Sequence, residues 1–114
     1  SRAVEVDHPL FRQIIVAGTA SISHGGESVH LGDIDKQTEL SLDVIEAILK
    51  SRGMGWKDVV RSVAYFKDKD YASHYEKIAL RRGLAIMPCI GIQADVCRDN
   101  LLFEMELDAA VLKA

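Results

Sequence analysis

The apolar residues change period several times along the chain, and each change predicts an element. From Ile34 they recur at Ile34, Thr38, Leu42, Ile45, Ile48 and Leu49, the spacing that keeps one face of a helix apolar. Asp33 stands where a helix N-cap belongs and Gly53 just past the last apolar position, the punctuation that opens and closes a helix. A second helix is predicted from Asp70, placed to cap it, to near Gly83, with Tyr71, Tyr75, Ile78 and Ala79 on its face. Trp56 is expected to seal the end of the first helix, and Tyr71 and Tyr75 to form the core and rim of the second.

Elsewhere the alternation is strand-like. Ser1 to Asp7 is predicted as a short strand ended by His8-Pro9, because proline cannot donate to a ladder. Phe11 to Ala20 is a second strand, and Gly25-Gly26 reads as a hairpin turn into Ser28 to Leu31. Asp58 to Phe66, Ile90 to Val96 and Leu101 to Leu112 complete the set. In the last, Leu101, Phe103, Met105 and Leu107 share one face, while Leu102, Glu104, Glu106 and Asp108 share the other.

That order predicts an α+β fold in which two helices cover one face of a mixed sheet. Phe11 to Ala20 is nevertheless apolar on both faces, around Ile14, Ile15, Val16 and Ala17. Two helices cannot blanket both sides of such a sheet, so its second face is expected to meet another copy of the chain.

Composition narrows the function. The 114 residues suit one domain, residues 1–114, with a core that needs no disulfide or structural metal. With 14 Lys+Arg against 17 Asp+Glu, the formal charge is −3, which argues against a nucleic-acid partner. The two cysteines lack zinc or redox spacing, and a reducing, cytoplasmic setting is expected. No apolar run approaches the ~20 residues of a membrane span, and the first ten residues hold acids, a His and a Pro where the apolar part of a signal peptide would lie. The first residue is Ser, so a trimmed chain or a piece of a longer one is expected. No Walker loop, GxGxxG, HExxH, GxSxG or EF-hand pattern occurs; neither a metal nor a cofactor is expected.

Polar groups gather in Gly18 to His24, Glu27 to Asp33 and Asp95 to Glu104. Glu104 lies on the less apolar face of the last strand, where partial burial would raise its pKa and suit it to general-acid work; the alternative is a solvated strand glutamate, the preferred reading for Glu106 and Asp108. Cys97 is followed by Arg98, whose charge favours thiolate, though a small buried thiol is the competing reading. Arg98 either binds a ligand carboxylate or pairs with Asp95 or Asp99. The Thr19 and Ser21 hydroxyls share a strand face and offer hydrogen bonds to a carboxylate, or sit in a partly buried strand. His30 either donates to a substrate oxygen or caps the following helix. His24 and His74 read as surface or cap residues, and Cys89 as packing.

Gly18-Thr19-Ala20-Ser21 on a strand, Gly32-Asp33 with Gln37-Thr38 opening a helix, Asp58-Val59-Val60 opening a strand, and Glu104-Met105-Glu106-Leu107 near the end together resemble the RidA/YjgF (endoribonuclease L-PSP) family over nearly the whole chain. The resemblance implies a chorismate-mutase-like homotrimer with clefts for small molecules between subunits. Deaminases of that family carry an Arg shortly after the Pro that opens the penultimate strand, where it would clasp a substrate carboxylate; here Pro88-Cys89-Ile90-Gly91-Ile92 holds none. Gly18 to Ile22 with Ser28, His30, Gly32 and Asp33, and Asp95-Val96-Cys97-Arg98 ending at Glu104, are instead similar to the C-terminal domain of chorismatases, which remove the enolpyruvyl group of chorismate. That similarity implies Glu104 as proton donor with Cys97 in the pocket; the ligand is expected to be a small carboxylate, with Thr19, Ser21, His30 and Arg98 as its candidate contacts. An imine or enamine deaminase and a non-catalytic binding or trimerisation module are the alternatives.

Overall fold

Helix α1 (Ile34–Ser51) starts where the side chain of Asp33 accepts a hydrogen bond from the Lys36 amide at 3.0 Å. It ends where Gly53 turns through φ +70° and the Gly53 and Met54 amides reach back to the Lys50 and Leu49 carbonyls, a left-handed closure that glycine makes without strain. Both boundaries match the sequence pattern. The computed structural model describes residues 3–23, 25–96 and 98–113.

Helix α2 (Ala72–Arg81) starts later than expected. Asp68, not Asp70, supplies the capping carboxylate: it accepts from the Asp70 amide, and one 3-10 turn, Lys69–Tyr71, precedes the α-helix. The two aspartates are alike as caps, and the choice between them depends on where β3 releases the chain.

Strands β1 (Ala3–Asp7), β2 (Phe11–Thr19), β3 (Val59–Phe66), β4 (Ile90–Gln93) and β5 (Phe103–Leu112) form one sheet in the order β1-β2-β5-β3-β4. All neighbours are antiparallel except β3 and β4, whose parallel pairing requires the crossover that α2 provides. Ser28 to Leu31 is not a strand. Only Ser28 bridges Ile22, because Gly26, His30 and Gly32 all take positive φ and bend the segment back on itself. β4 also stops at Gln93 rather than Val96, and β5 begins at Phe103.

Both helices pack on one face of the sheet. Ile14, Val16, Phe66, Phe103, Met105 and Leu107 meet Leu42, Ile45 and Leu49 from α1 and Tyr75 and Ile78 from α2. The rings of Phe66, Tyr75 and Phe103 sit with centroids 5.7 to 5.9 Å apart. Outside the core, Arg82 donates to Glu39 and Asp43, tying the end of α2 to α1. On the opposite sheet face Val4, Val6, Ile15, Ile90 and Ile92 are exposed, in agreement with a strand pattern that is apolar on both sides.

One core group lacks a partner. Thr38 is fully buried and its Oγ1 makes no hydrogen bond among the described residues. A buried hydroxyl left unpaired destabilises the fold, so Thr38→Val, which keeps the branched shape, is expected to stabilise the chain by about 1 kcal/mol. The melting temperature should rise by roughly 4 °C; a thermal melt in which the valine variant unfolds earlier would contradict the reading.

Candidate functional site

The open face of the sheet carries three carboxylates in a row, because β5 alternates and lies between β2 and β3. Glu104, Glu106 and Asp108 point to that face, opposite Tyr65, Val63 and Arg61 of β3. Two of the three are engaged. Asp108 accepts from Gln13 at 3.3 Å and from Arg61 at 3.2 Å, and Glu106 accepts a short hydrogen bond from the Tyr65 hydroxyl. That bond is the main reason the Tyr65 phenol holds its proton above the usual range.

Glu104 is different. It is half-buried and makes no hydrogen bond or ion pair among the described residues. Its setting comes from a bulge in β2: Val16 faces Leu107 but Thr19 faces Met105, so three steps on β2 span two on β5. The bulge brings Gly18 against the Glu104 side chain, where a Cβ on residue 18 would lie 2.8 Å from the carboxyl carbon. Glycine is the residue that leaves room for the carboxyl there.

Burial pushes the Glu104 carboxyl above the ordinary glutamate range, and the charge of Glu106 adds to the effect. The folded chain therefore holds this proton more tightly than the unfolded chain does. Stability is expected to fall as pH rises from the ordinary glutamate value through the raised one, and Glu104→Gln should remove that part of the slope. Urea midpoints between about pH 4 and pH 7 measure it; identical slopes for the two proteins would mean an ordinary solvated carboxyl.

The other predicted site residues divide into two groups. Thr19 and Ser21 are buried, with their hydroxyls donated to the carbonyls of Ala17 and Val29. They shape the bulge and the following loop. Arg98 is exposed and donates from Nη1 to the Gly26 carbonyl at 2.7 Å and to Ser28 Oγ at 3.2 Å, rather than to Asp95 or Asp99. It therefore joins the 95–102 segment to the 26–30 loop. His30 sits at φ +57°, with its carbonyl accepting from the Asp33 amide. Cys97 and His24 lie outside the described residues. Cys89, expected to pack, is exposed instead.

Gln37 is a positioning residue that sequence reasoning missed. Fully buried, it donates from Nε2 to the carbonyls of His30 and Asn100 and accepts from the Leu102 amide at 2.8 Å. One side chain thus holds the His30 loop, the segment after Arg98 and the approach to Glu104. A buried polar residue interrupting an apolar helix face was the available signal.

The model of the endoribonuclease L-PSP family matches residues 1–111. The chain belongs to that family. It is 30% identical over 107 residues to a RutC family protein of Pyrococcus abyssi, covering 93% of this chain and 81% of that protein. It is 29% identical over 103 residues to the 3-hydroxybenzoate synthase of Streptomyces hygroscopicus, covering 82% of this chain but 30% of the synthase. A chorismatase crystal structure superposes with a TM-score of 0.83 at 22% identity, over 96% of this chain and 35% of the chorismatase. The family assignment agrees with the RidA/YjgF resemblance, and the chorismatase likeness establishes a shared fold. Among the described residues no helix is long and apolar enough to cross a membrane.

Proposed function

We propose that this chain binds a small carboxylate-bearing metabolite in clefts between subunits of a homotrimer and catalyses hydrolytic removal of an enol-ether or imine group, with Glu104 as general acid. The observation that carries the reading is the unpaired, half-buried Glu104 carboxyl beside Gly18 on an uncovered sheet face. The exposed apolar rim of Val4, Val6, Ile15, Ile90 and Ile92 around it favours cover by sister copies, and that cover would close a cleft over the acid and raise its pKa further.

For an enol ether the chemistry balances simply. Protonated Glu104 gives its proton to the methylene carbon, water adds to the resulting oxocarbenium carbon, and the hemiketal collapses to a ring alcohol and pyruvate while the carboxylate recovers a proton. Arg98 and His30, joined to the same loop cluster, would meet the ligand carboxylate, with Cys97 in the pocket. The likeness to a 3-hydroxybenzoate synthase and to a chorismatase supports an enolpyruvyl substrate over an imine. The pairing of Ile90 and Ile92 with Val63 and Tyr65, where the family's deaminases would offer an Arg near the start of this strand, points the same way.

Incubation with chorismate and with 2-aminoacrylate, following pyruvate, tests the chemistry. Pyruvate from chorismate alone is the expected result; pyruvate from 2-aminoacrylate alone would replace the reading with a deaminase, and none from either with a binding module. Light scattering tests the cleft. A particle of three chains is expected, converted to single chains by Ile15→Lys, and a wild-type monomer would remove the inter-subunit site.

A further inference from the structure

We propose that the cleft between α2 and strands β3 and β4, on the helix side of the sheet, binds a neutral single-ring molecule bearing one hydroxyl. This site is separate from the Glu104 face. Successive residues of a strand point to opposite sides, so Ile90 and Ile92 lie on the open face while Gly91 lines the cleft with Cys89.

The size of the cleft argues for a ring. Its volume is about 260 Å³, and Ala64, Ala72, Ala79, Ala85 and Gly91 contribute walls of small residues. An apolar cavity of about 150 Å³ is enough for benzene, so the space suits one aromatic ring with a substituent. Phe66 supplies an aromatic surface, and its ring lies 3.2 Å from where a Cβ on Gly91 would be. Any larger residue at position 91 would press on that ring.

The polar groups argue for a hydroxyl. Tyr75 is 8% exposed and lines the cleft, and among the described residues no carbonyl or carboxylate accepts from its hydroxyl. Its polar neighbour is the Cys89 thiol, a weak acceptor. Burial keeps the Tyr75 phenol protonated well above its ordinary range, so it remains a donor at neutral pH. The Tyr75 hydroxyl is not a sealed, orphaned group like that of Thr38, and a ligand hydroxyl in the cleft would accept from it in place of solvent. Glu76, exposed and also lining the cleft, disfavours an anion. The preference is therefore the reverse of that proposed for the Glu104 face.

Titration of the isotope-labelled protein with phenol, toluene and benzoate, read at the Tyr75 and Cys89 amide resonances, tests the site where it lies. Phenol is expected to bind with a Kd on the order of 1 mM, and benzoate at least tenfold more weakly. Tyr75→Phe, which preserves the ring and the packing, should weaken phenol about three- to tenfold and leave toluene unchanged. Three results would overturn the proposal: no phenol-dependent shift at these residues, benzoate binding as tightly as phenol, or equal phenol affinity in wild type and Tyr75→Phe. None of them bears on pyruvate release, so this site and the proposed reaction at Glu104 stand or fall separately.

Discussion

Replacing Gln37 by leucine is expected to lower the unfolding free energy by about 2 to 4 kcal/mol, because two main-chain groups lose their partner at once and a third loses one of two. The carbonyl of Asn100 and the amide of Leu102 depend on this one buried amide, while the His30 carbonyl would keep the Asp33 amide, and each group left unpaired destabilises by about 1 kcal/mol or more. Total stabilities are about 5 to 15 kcal/mol, so the variant should stand near the edge of folding. Urea unfolding measures the loss, and one below about 1 kcal/mol would mean that the loops satisfy themselves with water. The effect should also be local: hydrogen exchange is expected to speed up first in the 28–31 and 99–102 segments. These are the segments through which Arg98 and His30 are held near α1, so Gln37 links the stability of the core to the shape of the proposed pocket.

Glu104→Gln should abolish most turnover of whichever substrate releases pyruvate, by about 10²- to 10⁴-fold, the usual contribution of a positioned general acid. The amide is nearly the same size as the carboxylic acid, so the contact with Gly18 survives while the transferable proton is gone. Folding should be preserved, or slightly improved near neutral pH, because the substitution removes a charge whose burial is unfavourable. A drop in kcat with intact folding is thus the signature of catalysis. Equal rates for Glu104→Gln and wild type would remove Glu104 from the chemistry, whatever the substrate. Glu106→Gln offers the contrast: Glu106 accepts from Tyr65, and its replacement should leave a much larger share of the activity.

Much of this molecule is written locally. The amphipathic run from Ile34, bracketed by Asp33 and Gly53, predicts α1 with its boundaries, because capping and helical periodicity involve residues within a few positions of one another. Alternation in Leu101 to Leu112 separates an apolar face from the face that carries Glu104, and the two-sided apolar pattern of Phe11 to Ala20 is matched by a sheet face that the helices leave uncovered. The local signal failed where equivalent residues compete, as with Asp68 and Asp70, or where the positive φ of Gly26, His30 and Gly32 overrides a short strand-like stretch, as at Ser28 to Leu31.

The site itself was decided by tertiary structure. Periodicity tells which side of a strand a residue faces; it does not tell which strand lies alongside. Only the placement of β5 between β2 and β3 sets Glu104 between the Gly18 bulge and Tyr65, and only the folded chain brings Gln37 to Asn100 and Leu102, more than sixty positions away. Those pairings bring together groups far apart in the chain, and a hydrogen bond or a raised pKa depends on distance in space. The sequence determined the elements and the residue types available for chemistry, while long-range packing determined which carboxyl is left without a partner.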